Sequence, residues 1–182
     1  METTDNAKLL QERGVKLYQQ KEYEEARRAF EMALELYTNE GQTDLAAEMK
    51  TNIGLVHRAL GENQQALDMM SEALTTFQEL GDPLRTAQVL GNMGGVYLEL
   101  GDKEQAYLCY RQSADVFEEL GEKKMLGDTL IAMGSLQVKD GKLWQGTATY
   151  EAGLENLDNL SATQKVMKNL IGLRNRLTGG SK

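Results

Sequence analysis

Few side chains in this sequence have the type and spacing to make or break bonds. His57 is the single histidine and Cys109 the single cysteine, so the usual nitrogen or sulfur zinc site cannot be assembled. His57 alone could act as a general base. It lies in the helical stretch NIGLVHRALG, however, and Tyr97 occupies the same slot forty residues on. It therefore reads as a partly buried packing residue. Cys109, between Leu108 and Tyr110, reads as a buried or half-buried thiol. Acidic residues are plentiful, yet YEEARRAFE and FEELGEKK set them among lysines and arginines. Those are solvated helix faces, whose i,i+4 pairs contribute a few tenths of a kcal/mol each. The nine methionines recur at helical spacing and suit a deformable core better than a cofactor box.

The crowded glycines of GNMGGVYLELGD raise the question of phosphate binding. No strand precedes them and no Gly-Lys-Ser/Thr follows. The same punctuation returns in NIGLVHRALGENQQA and AMGSLQVKDGKLWQG, forty residues to either side. These glycines belong to a repeat. No residue is assigned to catalysis, no metal or cofactor is expected, and the chain reads as a non-enzyme.

Composition narrows the class further. A chain of 182 residues with one proline and abundant Ala, Leu, Glu, Gln and Met suits one helical domain or a short repeat array. The 20 basic and 28 acidic residues leave a net charge of −8, which argues against nucleic acid and anionic membrane as partners. No apolar run approaches the ~20 residues that span a bilayer. The polar start METTDNAKLLQERG is neither a signal nor a transit peptide. A lone cysteine cannot form an intrachain disulfide, so a reducing, cytoplasmic setting is expected.

With a period of 40, units begin near Ala7, Ala47, Ala87 and Gly127. The eighth position is Gly14, Gly54, Gly94 and Gly134, and the fifteenth is Lys21, Gly61, Gly101 and Gly141. Small residues fill the twentieth and twenty-seventh: Ala26, Ala66, Ala106 and Gly146, then Ala33, Ala73, Ser113 and Gly153. The twenty-fourth is always large: Phe30, Met70, Tyr110 and Tyr150. Two antiparallel helices approach closely where one offers a notch and the other a large side chain. Glycine inside a helix costs ~1 kcal/mol against alanine, which close packing must offset. The fifteenth-position glycines instead end the first helix in the left-handed conformation. Asp102 is placed to cap the helix that follows, and Asp82 with Pro83 supplies an N-cap and a favourable first helical residue.

TNIGLVHRALGENQQAL and GNMGGVYLELGDKEQAY resemble the first-helix and turn signature of the tetratricopeptide repeat, in a variant longer than the usual unit of ~34 residues. Similar long repeats occur in spindle-orientation adaptors, kinesin light chains and bacterial peptide-sensing regulators. The resemblance covers residues 7–160 and is weakest in the fourth unit. It implies an all-α, right-handed superhelical solenoid of four hairpins (7–46, 47–86, 87–126 and 127–160). Residues 1–6 would form a tail, 161–178 a capping helix and 179–182 a flexible end. In the capping segment ATQKVMKNLIGLRNRL, Val166, Leu170, Leu173 and Leu177 share a face expected to cover the last repeat. A membrane-surface role for this short cationic helix is disfavoured by the uncapped repeat directly before it.

The resemblance also implies that the first helix of each unit lines a concave groove that grips a peptide or protein segment. The groove residues it points to are Gln11, Tyr18, Asn52, Leu55, Arg58, Gln88, Asn92, Glu99, Ser135 and Lys139. Asn52 and Asn92 fill one slot in successive units. Two readings of them stay open, contacts to the backbone of a bound peptide and bonds to a neighbouring helix or water. The cationic clamp of chaperone-binding members is not matched: Gln11, Val15, Gln88 and Asn92 stand where it needs lysine, asparagine and further basic residues. In the fourth unit, Leu143 and Trp144 either cover the capping helix and fill the space that Gly146 and Gly153 leave, or form a second interface. The leading function is a non-catalytic scaffold or adaptor. The alternative is an assembly unit that self-associates, as a homodimer, through the fourth repeat and cap.

Overall fold

At twenty-residue intervals, from Lys21 through Gly41, Gly61, Gly81, Gly101 and Gly121 to Gly141, the backbone enters the left-handed region with φ between 64° and 82°. Six of the seven are glycine, which reaches it without a Cβ penalty. Each turn closes alike. The amide after the left-handed residue donates to a carbonyl five residues back, as in Glu62 to His57 and Asp82 to Phe77, both at 2.9 Å.

The computed structural model describes residues 2–177, and all regular structure among them is helical. The turns separate α1 (Glu2–Gln19), α2 (Tyr23–Asn39), α3 (Thr43–Ala59), α4 (Asn63–Glu79), α5 (Pro83–Glu99), α6 (Lys103–Leu120), α7 (Lys123–Lys139) and α8 (Leu143–Glu155). A longer connection leads to α9 (Ala162–Leu177). No helix among the described residues is long and apolar enough to cross a membrane. The helices fall into two compact units, Met1–Asp102 and Lys103–Lys182. Within the first, successive helices from α1 to α5 pack on one another; within the second, successive helices from α6 to α9 do.

The notch and the large residue meet as the period requires. A Cβ on Gly14 would lie 2.6 Å from the Phe30 ring, and one on Gly54 would lie 2.8 Å from Met70 Cγ. One on Gly134 would sit 2.6 Å from the Tyr150 amide nitrogen. Around these contacts Ala26, Phe30, Ala33, Tyr37, Met49, Ile53 and Val56 form the buried core of the first unit.

The fourth hairpin differs in kind. A Cβ on Gly134 would also meet the Gly146 carbonyl at 2.6 Å, and one on Gly127 would meet the Gly153 carbonyl at 2.8 Å. The four glycines leave no space to fill. They let α7 and α8 close until backbone touches backbone, so the space-filling role expected of Leu143 and Trp144 does not arise. Both are exposed, at 59% and 69%.

Side-chain caps form at the starts of α5 and α9. Asp82 Oδ1 accepts from the Arg85 amide at 2.9 Å, with Pro83 opening α5. Partial burial opposes ionisation of Asp82, but the amide and guanidinium of Arg85 outweigh it and hold the carboxyl below its usual range. At α9, Ser161 Oγ accepts from the Gln164 amide while Gln164 Oε1 accepts from the Ser161 amide, a reciprocal capping box.

Two boundary expectations are corrected. Residues 2–6 belong to α1 rather than to a tail. The capping helix presents a different face. Ile171 is buried and Met167 half-buried, whereas Val166, Leu170 and Leu173 remain more than half exposed. Two apolar stripes run along α9, and the leucine-rich one points outward. The Leu177 side chain and residues 179–182 lie outside the described residues.

The Gly134→Ala variant should lose ~2 kcal/mol or more, because its neighbour is backbone and cannot yield. That corresponds to a melting temperature lower by ~4–8 °C at this chain length. The Gly54→Ala variant meets Met70 Cγ at 2.8 Å and backbone, the Ala66 carbonyl, only at 3.1 Å, and should fall by less. Circular dichroism melts of the two variants check the order.

Candidate functional site

Side-chain bonds carry α1, α3 and α5 side by side. Gln11 on α1 donates to Glu48 Oε1 on α3 at 2.7 Å, and Arg58 on α3 donates to Glu99 Oε1 on α5 at 2.8 Å. Asp44 of α3 accepts from Arg85 of α5 at 3.3 Å. The first helices of three successive hairpins therefore form one wall. Gln11 and Tyr18 belong to α1, Asn52, Leu55 and Arg58 to α3, and Gln88, Asn92 and Glu99 to α5. Ser135 and Lys139 lie on α7 of the second unit, where the Ser135 hydroxyl is spent on the Ile131 carbonyl at 2.8 Å.

One end of the wall is an aromatic and ionic cluster. Tyr18 packs edge-on to Tyr23 with ring centroids 5.5 Å apart. Burial, then Tyr23, pushes its hydroxyl pKa up, with Arg58 acting against them. Arg58 reaches Glu99 across Gly95, where a Cβ would come within 2.5 Å of the guanidinium. The small residue at position 95 is thus the bed for an arginine of the neighbouring repeat.

The other end is a hydrogen-bond relay. Tyr37 donates to Gln11 Oε1 at 2.9 Å, and the Gln11 amide donates to Glu48. Burial raises the Glu48 pKa, countered by Arg85. Arg85 is itself fixed by Asp82 at 2.6 Å and lies 4.8 Å over the Phe77 ring. Sequence reasoning missed Tyr37, Asp44 and Arg85. The signal was there: Asp44 to Arg85 and Arg58 to Glu99 are both separated by 41 residues, one repeat plus one.

Between the two ends lie Asn52, Leu55, Gln88 and Asn92, all half-buried. No side-chain bond engages Asn52 or Asn92 among the described residues. His57 is half-buried, its Nδ1 at 2.6 Å from Glu62 Oε2. Among the described residues no group of three His, Cys, Asp or Glu could hold a metal ion.

A family profile described as the tetratricopeptide repeat matches residues 5–79 and 45–119. The chain belongs to the tetratricopeptide repeat family. No curated protein matches it by sequence. Among solved structures, aspartyl phosphate phosphatase F from Bacillus subtilis is similar at a TM-score of 0.85 and 15% identity, over 99% of this chain and 49% of that one. A Rap protein complexed with competence and sporulation factor matches at 0.80 and 19%, over 97% and 49%. BtubC from P. vanneervenii matches at 0.64 and 13%, over 98% and 84%. This tetratricopeptide repeat chain thus spans about half the length of the first two. At these identities the likeness is one of fold.

Alanine at Gly95 should be tolerated, unlike alanine at Gly134. The atoms it meets are the far end of a flexible arginine, and alanine favours the helix by ~1 kcal/mol. Gly95→Ala is expected to keep or raise the melting temperature while displacing Arg58 from Glu99, seen as a changed Arg58 Nε resonance by NMR.

Proposed function

We propose that the wall of α1, α3 and α5 binds an extended segment of a partner protein without catalysing a reaction on it. The observation that carries this reading is the pair Asn52 and Asn92. Two half-buried amides stand at one register on α3 and α5, and among the described residues no side-chain hydrogen bond engages them. An amide both donates and accepts, as the backbone of an extended segment requires. Leu55 beside them offers apolar contact, and Tyr18, Arg58 and Glu99 bound the wall at one end. Support also comes from the fold shared with the Rap protein described in complex with competence and sporulation factor. The scaffold or adaptor role and the cytoplasmic setting belong to the same proposal.

The double variant Asn52→Ala, Asn92→Ala is expected to weaken the partner by about ten-fold, a loss of ~1.4 kcal/mol, with little change in the melting curve. Isothermal titration with a partner recovered from the native cell measures it. Unchanged affinity would contradict the ladder.

Self-association is a second reading, favoured by the exposed Val166, Leu170 and Leu173 on α9 and by exposed Trp144. Arg174 lies 5.4 Å from the Trp144 ring and donates to Thr147, linking α8 to α9 beneath that surface. Sedimentation should then show concentration-dependent mass that Leu170→Glu abolishes. A dimer indifferent to both Leu170→Glu and Trp144→Ala would exclude this surface.

A further inference from the structure

The eleventh position of the repeat reads Leu17, His57, Tyr97 and Gln137. In the first unit this slot holds a ring at both His57 and Tyr97. In the second unit Gln137 occupies it, only 3% exposed, and its side-chain oxygen has no hydrogen-bond partner among the described residues. Beside Gln137 a cleft of ≈ 340 Å³ opens between α6 and α7. Its lining is Tyr107 and Leu136 with Gln137, and Lys103, Glu104, Asp140 and Lys142 complete it. The volume is at the lower end of ligand cavities, which run from ~300 to 1,000 Å³, and suits a single aromatic group.

The chemistry of the lining narrows the guest. Asp140 accepts from both Lys103 at 3.2 Å and Lys142 at 3.1 Å, and Glu104 balances the remaining charge. The two lysines and two acids cancel, so nothing selects a charged ligand. Tyr107 and Leu136 offer apolar surface. A buried amide oxygen without a donor is costly to leave so, and the terminal torsion of glutamine is broad enough to turn the amide toward a guest. The guest is neutral, flat, apolar over most of its surface, and carries one O–H or N–H donor.

We propose that this cleft receives a tyrosine side chain from another chain, its ring against Tyr107 and Leu136 and its hydroxyl donating to Gln137 Oε1. The guest ring thereby enters beside the repeat position that Tyr97 holds one repeat earlier. The site is separate from the wall of α1, α3 and α5, and variants at Asn52 and Asn92 leave it unchanged.

The test is an amide NMR titration of the full chain with N-acetyl-L-tyrosinamide, with N-acetyl-L-phenylalaninamide as the comparison. The expected result is saturable shifts at Tyr107, Leu136 and Gln137 with a millimolar dissociation constant, several-fold weaker for the phenylalanine compound. Gln137→Tyr fills the slot and is expected to erase the shifts while keeping or raising the melting temperature. Gln137→Met keeps the length but removes the acceptor, and should abolish the preference for the hydroxyl; it carries the test if Gln137→Tyr fails to fold. The absence of saturable shifts in the wild type, equal affinity for the two compounds, or undiminished binding in a folded Gln137→Tyr variant would overturn the proposal.

Discussion

A helix can lie against its partner only as closely as its side chains allow, and in this protein that distance is set by one small residue facing one large one. Gly14 under Phe30 and Gly54 under Met70 fix the spacing of the first two hairpins. Once the spacing is fixed, equal helix lengths follow. Helices α2 to α5 each run 17 residues between left-handed turns. Equal lengths in turn bring side chains one repeat apart into register, so that Arg58 finds Glu99 and Asp44 finds Arg85. The wall of first helices is a consequence of packing behind it.

The fourth hairpin carries the same principle to its limit. Glycine at both helix-packing positions of α8, opposite Gly127 and Gly134, replaces side-chain interdigitation by backbone contact. Such an interface brings backbone against backbone, which makes it intolerant of added atoms. It also explains why the largest apolar side chain there, Trp144, lies outside the hairpin, beside Arg174.

Much of this is legible from residue types alone, because sterics are local and periodic. The turn glycines, the Asp82 cap with Pro83 and the pairing of eighth with twenty-fourth positions all follow from residue types and the forty-residue period. The orientation of α9 does not. Its sequence carries Val166, Leu170 and Leu173 on one side and Met167 and Ile171 on another. Counting leucines favours the wrong one, because burial is decided by the shape of α8. The ionic links of the wall were hidden for a different reason. Each charged residue has many equivalent neighbours along its own helix, and only the register of the next repeat selects its partner. The shared slot of Asn52 and Asn92 could be read from sequence, but not that no side-chain bond among the described residues engages them.

The central claim is that the first helices, and not the second, present the binding face. Site-specific photo-cross-linking tests it most directly, with benzoylphenylalanine in place of Leu55 on α3 in one variant and of exposed Ser71 on α4 in another. The account predicts a cross-link to the partner from position 55 and none from position 71. A cross-link from position 71 with none from position 55 would contradict it.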